Sequence, residues 1–381
     1  MGGPRAADET DEGESLFDLI GLSKREFGMP TTVSVPGRIE VLGNHTDYNG
    51  GRVLVAPTRR VVTVRLEATA DRRITVSSEA FRGLITRPLG EIHRVSGPGA
   101  WANYVFGAVL ILLREDISLG GMRIHVSGDL PIGVGLASSA ALSVATMRAI
   151  LRTSCRRLPL RQLAACAQRV ETDFVGVPVG PLDPLSCALG RRGSLLRLDF
   201  SREPRVERVA QPRDWRILIF DSGERHALVT SRYALRRREC AAATRDLGVP
   251  NLGLLAPAQF ERRAPVLSAK LRRRARHIVL ESARVDAAWR ILGRSAGAAV
   301  GIGALLNASQ LSSQADFENS HAAIDRLVAR LLAIPEMAGA RLTGGGFGGA
   351  VIGWVRRENV TRLLAQLAAD RRGAPRLLDL V

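Results

Sequence analysis

Hydrophobic and polar positions repeat with two different periods along this chain. Val, Thr, Ile and Leu are concentrated in residues 31–42 and 52–67, a composition and spacing that predict strands. Apolar residues recur at helical spacing elsewhere, which predicts helices over 101–116, 141–152, 160–176, about 230–245 and 278–292. Further strands are predicted at 122–131, 193–200 and 215–222, and residues 342–381 predict loop, strand, helix and strand. Helices and strands therefore alternate throughout.

The chain is 381 residues long, a length that favours two domains. We place the boundary in the polar segment 205–214, which divides the chain into domains 21–210 and 211–381. Residues 1–15 are acidic and polar and lack the features of a signal peptide, so we expect a loose tail. Without an uncharged apolar stretch of membrane-spanning length, we expect no membrane partner.

The formal charge is +17, from 54 basic residues of which only Lys24 and Lys270 are lysines. Such a charge raises the question of nucleic-acid binding. No zinc-ligand spacing or RNA-binding aromatic motif accompanies it, so we expect no nucleic-acid partner. The arginine runs at 236–238 and 272–276 are interpreted as solvated helix faces, and an anionic substrate such as ATP is a second use for excess positive charge.

The four cysteines, Cys155, Cys166, Cys187 and Cys240, lie far apart with no C-x-x-C pair. This pattern predicts reduced, buried thiols in a cytoplasmic protein.

A dense polar turn follows the first predicted strand, in GRIEVLGNHTDYNGG (37–51). Its polar side chains include Asn44, His45, Asp47, Tyr48 and Asn49. A solvated hairpin turn is one interpretation, since Asn-Gly is an ordinary turn signal. The alternative is a site for a polyhydroxylated ligand, each hydroxyl of which needs both a donor and an acceptor.

Two glycine-rich loops indicate phosphate binding or close packing. PIGVGLASSAALSVA (131–145) joins a strand to a helix, so free backbone N–H groups at that helix start would attract an anion. The loop is not a Walker A motif, and a serine helix cap after a glycine turn is the alternative. RLTGGGFGGAVIGWV (341–355) has five glycines in positions 344–349, which requires either a ligand or another loop at close range.

A third element, VETDFVGVPVGPLDPLSCALG (170–190), carries Asp183 in a loop that enters a predicted helix. An aspartate in that place is most often a helix cap. Glu171 lies on the preceding predicted helix and is unremarkable by itself.

Taken together and in this order, these segments resemble the GHMP sugar and metabolite kinases, and within them the galactokinase group. The polar turn is similar to that group's signature, approximately GRxNLIGEHTDYNxG, and PIGVGLASSAA is similar to the family's phosphate loop. GPLDPLSCALG resembles the segment with the catalytic aspartate, and LTGGGFGGAV the third, glycine-rich motif. The resemblance runs from about residue 30 to 355.

The resemblance implies an α+β, two-domain GHMP kinase fold with the active site between the domains. The N-terminal domain would be similar to the second domain of ribosomal protein S5, and the C-terminal domain would be ferredoxin-like. The implied activity is ATP-dependent phosphorylation of the anomeric hydroxyl of galactose. We expect the protein to be a cytoplasmic monomer.

The site residues implied by the same resemblance fall into three groups. Asp183 would be catalytic with Arg38 beside it, and Mg²⁺ would be held by Ser139 and Glu171. The sugar would be bound by Asn44, His45, Asp47 and Tyr233, and the ATP phosphates by Gly133, Gly135, Leu136, Ser138 and Ser139.

Three positions depart from the family pattern. Asn44 stands where galactokinases carry a glutamate that meets the 6-hydroxyl, Pro184 replaces a Gln, and Ala137 replaces a Ser. We expect Asn44 to hold a 6-hydroxyl less tightly and to tolerate a uronic acid better. Two alternatives therefore stay open: a kinase for another galactose-configured sugar such as galacturonate, and a catalytically silent sugar-binding regulator.

Overall fold

A computed structural model describes residues 29–224, 229–294, 299–370 and 375–381. Most predicted elements are present in it, so the expected α+β class is confirmed. The first two strands are β1 (Thr31–Leu42) and β2 (Arg52–Thr69), and they pair antiparallel on either side of the polar turn. The tail, residues 1–15, lies outside the described residues.

A mixed sheet of seven strands makes up the first half of the described chain. It contains β1, β2, β3 (Arg73–Ser78), β4 (Ile85–Pro88), β5 (Gly121–Gly128), β6 (Ser194–Asp199) and β7 (Arg205–Ala210). The order is β4-β3-β5-β2-β6-β7, with β1 paired to β2, and only β3 and β5 run parallel. The long strand β2 is central because it pairs with β6 at one end and β5 at the other.

Four helices accompany this sheet: α1 (Asn103–Arg114), α2 (Ser138–Thr153), α3 (Leu160–Arg169) and α4 (Leu182–Leu189). Helices α2 and α4 pack against β1 and β2. The predicted helix over 160–176 is correct as far as Arg169, after which the chain continues as a wider helical turn, Val170–Val175. Helix α2 is apolar on most of its surface and buries Leu142, Val144 and Met147. It therefore lies in the core, with its N-terminus directed at the phosphate loop.

A four-stranded antiparallel sheet dominates the second half: β8 (Trp215–Asp221), β9 (Met337–Leu342), β10 (Ala350–Arg356) and β11 (Leu377–Leu380). Its order is β11-β8-β10-β9. In chain order this is the 4-1-3-2 arrangement of a ferredoxin-like sheet. The predicted boundary segment 205–214 contains strand β7, which belongs to the first sheet. The division at residue 210 stays a prediction.

Six described helices accompany the second sheet: α5 (Val229–Asp246), α6 (Pro257–Arg263), α7 (Ala269–Leu292), α8 (Gly301–Ser312), α9 (Ala322–Leu332) and α10 (Val360–Ala369). The apolar core is continuous between the two sheets, since Trp215, Ile217 and Trp354 belong to the same buried cluster as the interior of the first sheet. Helix α7 packs against both β1 and β2. This contact holds the second half of the chain against the polar turn.

Two expectations about individual residues are wrong. Cys155 is exposed, whereas the other three cysteines are buried, and all four are free thiols. The arginine runs are not wholly solvated, because Arg274 and Arg236 are buried. Arg274 donates to Glu239 at 2.8 Å, and Arg236 donates to the same carboxylate at 3.0 Å. These pairs compensate for the loss of hydration.

Candidate active site

A cavity of about 310 Å³ lies where the polar turn, the phosphate loop and the loop before α4 meet. Every site residue predicted from the sequence lines it, apart from Glu171, which lies directly behind Ser139. Most of its wall comes from the first half of the chain, and Tyr233 and Gly345 close it from the second half. The cavity therefore lies between the two parts that carry the two sheets.

Arg38 and Asp183 form a tight ion pair on one wall of this cavity. Arg38 Nε donates to Asp183 Oδ1 at 2.8 Å, and Nη2 lies 2.6 Å from the same oxygen. A third nitrogen, Nη1, donates to the carbonyl of Gly135 at 2.6 Å. Burial works against the Arg38 cation, but Asp183 and Glu40 raise its pKa above the ordinary value. The guanidinium is therefore a fixed positive charge that joins β1, the phosphate loop and α4.

Asp183 is not a helix cap. It is the second residue of α4, and within the described part of the chain no side chain caps that helix. The side chain is buried only in part, with 29% of its surface exposed to the cavity, while that of Arg38 is 6% exposed. The capping interpretation is therefore wrong, and Asp183 presents a carboxylate to whatever occupies the cavity.

The phosphate loop has the conformation that its glycines allow. Gly133 and Gly135 have φ values of 74° and 79°, in the left-handed region that favours glycine. Ala137 precedes α2 with φ of 59° and offers no side chain to cap it. The first N–H groups of a helix have no partner within the helix, so those of the first turn of α2, with the helix dipole, favour a bound anion. The replacement of Ser by Ala at 137 is compatible with that arrangement.

Ser139 and Glu171 lie together beside the phosphate loop. Ser139 Oγ donates to Glu171 Oε2 at 3.2 Å, and the glutamate is buried on the wide helical turn after α3. Burial raises the pKa of Glu171 to about 7, and the nearby charge of Asp183 raises it further, against the Ser139 hydrogen bond and Arg38. A cation next to this carboxylate would remove much of that penalty.

The polar turn is buried rather than solvated. Asn44, His45 and Thr46 are at most 3% exposed, so the solvated-hairpin interpretation is wrong. His45 Nε2 lies 2.9 Å from the carbonyl of Gly345, which can only accept, and Nδ1 lies 2.8 Å from the hydroxyl of Tyr48. His45 is therefore a neutral ring with its proton on Nε2. Burial lowers its pKa to about 3, opposed by the Gly345 hydrogen bond.

Asp47 and Tyr233 both line the cavity. Burial raises the pKa of Asp47 to about 7, and the Glu40 charge adds to this effect. The ring of Tyr233 lies 4.9 Å from that of His45, and burial raises the pKa of its hydroxyl well above the ordinary value. Gly180 lies so close to Asp47 that an added Cβ would come within 2.3 Å of Oδ2. The Asp47 carboxylate is thus confined against the loop that leads to Asp183.

Sequence reasoning missed a buried carboxylate that contacts the backbone of the polar turn. Glu281 of α7 accepts from the backbone N–H of Gly43 at 3.0 Å and from Ser309 Oγ at 2.6 Å. It is fully buried and pairs with Arg284 at 2.7 Å and more distantly with Arg341, at 3.8 Å. No local motif marks Glu281, because its partners other than Arg284 are distant in sequence.

The glycine-rich loop of residues 343–349 owes its composition to close packing, one of the two explanations considered. A Cβ at Gly346 would come within 2.4 Å of the carbonyl oxygen of Asn319, and one at Gly344 within 3.0 Å of that of Gly135. Both glycines have positive φ. The loop thereby packs against the phosphate loop and presents its carbonyls to His45 and Asn44.

A second cavity, of about 330 Å³, opens beside the phosphate loop and was also missed. It shares Gly133, Ser138 and Ser139 with the first cavity. Phe81 and Trp101 stack with their ring centroids 5.4 Å apart, and both line this cavity. An aromatic, apolar cavity next to a phosphate loop suits a planar base.

Comparisons with known proteins agree with this geometry. The family model "GHMP kinases N terminal domain" matches residues 103–191, "Galactokinase galactose-binding signature" matches 24–67, and "GHMP kinases C terminal" matches 292–371. The galactokinase of Chloroflexus aurantiacus is 36% identical over 360 residues, which is 92% of this chain and 91% of that protein. The galactokinase of Chloroflexus aggregans is also 36% identical, over 93% and 92% of the two chains.

Solved structures give the same result for the fold. A crystal structure of Lactococcus lactis galactokinase complexed with galactose superposes with a TM-score of 0.83, at 30% identity, covering 92% of this chain and 90% of that one. The mevalonate kinase of Methanococcus jannaschii shares the fold, with a TM-score of 0.67 at 18% identity over 93% and 98% of the two chains. This chain belongs to the galactokinases of the GHMP kinase family.

Proposed function

We propose that this protein transfers the γ-phosphoryl group of ATP to the anomeric hydroxyl of galactose, which yields galactose 1-phosphate and ADP. The observation that carries the proposal is the Arg38–Asp183 pair, which lines the same cavity as the N-terminus of α2. A sugar hydroxyl at Asp183 and a phosphate at the helix start would lie next to each other. The galactose complex of the L. lactis relative supports galactose as the acceptor.

In the proposed reaction the anomeric oxygen attacks the γ-phosphorus, a new O–P bond forms, and the bond to the ADP oxygen breaks. Asp183 orients the hydroxyl and accepts its proton. Arg38 steadies the negative charge at the reacting centre, because its guanidinium is fixed by three hydrogen-bonding contacts. Catalysis of phosphoryl transfer depends on such positioning and charge stabilisation more than on covalent chemistry.

ATP would occupy both cavities. The phosphates would lie on the backbone N–H groups around Gly133, Gly135, Leu136, Ser138 and Ser139, where α2 begins. The base would lie in the neighbouring cavity with the stacked rings of Phe81 and Trp101. The residues shared by the two cavities support this arrangement, in which the reacting phosphate end would lie next to Asp183.

The side chains beside the phosphate loop fit a magnesium ion. Ser139 and Glu171 offer oxygen ligands, and magnesium in kinases is usually held by one or two protein oxygens, phosphates and waters. The raised pKa of Glu171 marks a buried carboxylate that gains from a neighbouring cation. When bound, the ion would neutralise charge on the phosphates. Arg38 forms its side-chain hydrogen bonds with Asp183 and Gly135, so Ser139 and Glu171 stay available to a magnesium ion.

The sugar would be held by Asp47 and Tyr233, with Asn44 and His45 forming the inner wall. Asp47 has an available carboxylate, whereas both ring nitrogens of His45 already have protein partners. We therefore assign His45 a positioning role, in which its ring packs beside Tyr233. Asp47 would accept hydrogen bonds from the sugar hydroxyls.

The test is to incubate purified protein with MgATP and a panel of hexoses, and to measure ADP release and the site of phosphorylation. Galactose should be phosphorylated at carbon 1. If folded protein binds galactose but releases no ADP, the chain is a silent sugar-binding regulator. If only another galactose-configured sugar reacts, the substrate assignment is wrong and the kinase assignment stands.

A further inference from the structure

Glu40 lies two residues beyond Arg38 on β1, and both side chains line the sugar cavity. The strand is regular between them, with Arg38 opposite Pro57 and Glu40 opposite Val55. Side chains two residues apart on a strand point to the same side, roughly 6.6 Å from each other. The Glu40 carboxylate therefore lies further along the same wall, at about the width of a sugar ring from the reacting pair.

The Glu40 carboxylate is fixed at one oxygen and available at the other. Oε1 accepts from Asn44 Nδ2 at 3.0 Å and lies 3.5 Å from Arg341 Nη2. Among the residues that the structure describes, none bonds to Oε2. The backbone is also held, since the N–H of Glu40 donates to Thr343 Oγ1 at 2.8 Å and its carbonyl accepts from the same hydroxyl at 3.0 Å.

Asn44, in contrast, has its side chain fully engaged with protein. Nδ2 donates to Glu40 and to the carbonyl of Gly344 at 2.6 Å, and Oδ1 accepts from Asn319 Nδ2 at 2.7 Å. Asn44 is completely buried. Its amide therefore orients Glu40, and the group with an unused acceptor is Glu40.

The sequence differs from the galactokinase signature at both of these positions. The signature GRxNLIGEHTDYNxG has an Asn at the position of Glu40 and a Glu at the position of Asn44, so this chain has the two residue types exchanged. The exchanged side chains contact each other. One carboxylate and one amide are thus retained at this point of the cavity, and the position of the negative charge is moved from the turn to the strand.

We propose that Glu40 is a specificity-determining residue, which accepts a hydrogen bond from the hydroxyl on carbon 4 or carbon 6, across the ring from the reacting hydroxyl. This inference rests on the proposed sugar kinase activity. Burial raises the pKa of Glu40, against the charges of Arg341 and Arg38. The ionised Glu40 carboxylate, with Asp47 in the same cavity, repels an anionic sugar. The site is therefore selective for neutral galactose over galacturonate, which differs from the expectation based on Asn44 alone.

The native protein gives the first test. We measure kcat/KM for galactose, 4-deoxygalactose, 6-deoxygalactose (fucose) and galacturonate. Galacturonate and one of the two deoxy sugars should react at least tenfold less efficiently than galactose. Equal turnover of galacturonate and galactose would overturn the proposal while leaving the kinase assignment intact. Absence of turnover with every sugar would instead reject the proposed function.

Two variants test Glu40 itself, with Glu67→Gln on an exposed strand position as the matched control. Glu40→Gln should raise the KM for galactose about 10- to 100-fold with little change in kcat, since a hydrogen bond to a charged acceptor is lost. It should also bring the discriminated deoxy sugar close to galactose. A purely structural Glu40 would lower the melting temperature and leave that sugar ratio unchanged, which would overturn the proposal.

If Glu40→Gln does not fold, the double exchange Glu40→Asn with Asn44→Glu takes its place, because it keeps the charge of the cavity. It returns both positions to the residue types of the signature. The proposal expects galactose turnover to persist with galacturonate still excluded, and Asn44→Glu alone to weaken galactose binding because two carboxylates then meet. Unaltered galactose KM in Asn44→Glu would contradict the contact on which the inference depends.

Discussion

Arg38 Nη2 lies 2.6 Å from Asp183 Oδ1, and this pair joins the first strand to the start of α4 across the wall of the cavity. The arginine is almost fully buried, while the aspartate is 29% exposed. The pair therefore combines a fixed cation with a carboxylate that a substrate can reach. Loss of the Arg38 charge and loss of the Asp183 charge therefore have different consequences, because only Asp183 can accept a proton.

Asp183→Asn should abolish most of the activity. An amide of the same shape keeps a contact with Arg38 but cannot accept the proton of the attacking hydroxyl, and general-base help is worth roughly 10²–10⁴ in rate. The measurement is kcat at saturating MgATP and galactose, with nucleotide affinity determined separately. Asp173→Asn, on an exposed position nearby, is the control and should retain full activity. Near-native kcat in Asp183→Asn would remove Asp183 from the catalytic step.

Glu171→Gln should raise the magnesium concentration needed for half-maximal activity by about 10- to 100-fold, the range found when groups that support a metal site are removed. The hydrogen bond from Ser139 would survive, so the fold around the phosphate loop should be kept. Galactose binding measured without nucleotide should change little. Unchanged magnesium dependence would assign Glu171 a structural role beside Ser139.

The sequence predicted the elements that carry the motifs, because strands β1 and β2 and helix α2 have strong local patterns. It also predicted the cavity residues near Gly133, Asp47 and Asp183. It did not predict Glu281, since this residue sits in an Arg- and Ala-rich helix and its partners Gly43 and Ser309 are 238 and 28 positions away. The burial of Arg274 was missed for the same reason: its counter-charges come from other elements.

The departure at Asn44 illustrates the limit of comparing one position with a family pattern. Considered alone, Asn44 predicts a weakened contact with the sugar. The structure places its amide against Glu40, which has the complementary residue type. A local motif indicates which residues share a turn. The choice between a ligand contact and a protein contact, however, depends on Gly344 and Asn319, which lie 300 and 275 positions later in the chain.

Galactose affinity should increase as the pH rises from 6 to 8. The pKa of Asp47 is raised to about 7 by burial and by the charge of Glu40, so the carboxyl is mainly protonated at pH 6 and mainly ionised at pH 8. An ionised acceptor makes the stronger hydrogen bond, and we expect an affinity gain of about tenfold or less. The pKa of Glu171 is also raised to about 7, so calorimetric titration with galactose is done without nucleotide and repeated in Glu171→Gln as the control.

Asp47→Asn should bind galactose weakly and with no pH step between 6 and 8. A step that persists in this variant would come from another group, and the assignment of Asp47 would then be wrong.

Gly180→Ala should weaken galactose binding without unfolding the protein. The added methyl group would come within 2.3 Å of Asp47 Oδ2, so the carboxylate must move away from its place in the cavity. We expect the KM for galactose to rise while the melting temperature changes little, because the clash lies at the cavity wall. Gly90→Ala is the matched control, since an added Cβ there meets nothing within 4 Å. Equal KM values in the two variants would argue against a sugar contact by Asp47.

Glu281 should make the protein more sensitive to acid than a variant that lacks this carboxylate. Burial opposes its ionised form, but Arg284 and Arg341 lower its pKa to about 2 from an ordinary value of 4.5. A depressed carboxyl pKa contributes stability that is present above pH 4.5 and is lost as the pH falls towards 2. The contribution is on the order of 3 kcal/mol, because one pKa unit corresponds to about 1.4 kcal/mol.

Glu281→Gln should therefore lower the free energy of unfolding at pH 7 by roughly 3–5 kcal/mol, since it leaves buried arginines without their partner. The difference between native protein and variant should shrink as the pH falls from 4.5 towards 2. Denaturant unfolding across that range measures both quantities, with Glu261→Gln as the control for an exposed ion pair that contributes little. Because Glu281 also accepts from the N–H of Gly43, the variant should lose galactose affinity as well. A variant with native stability at pH 7 would show that Arg284 and Arg341 are compensated by other groups.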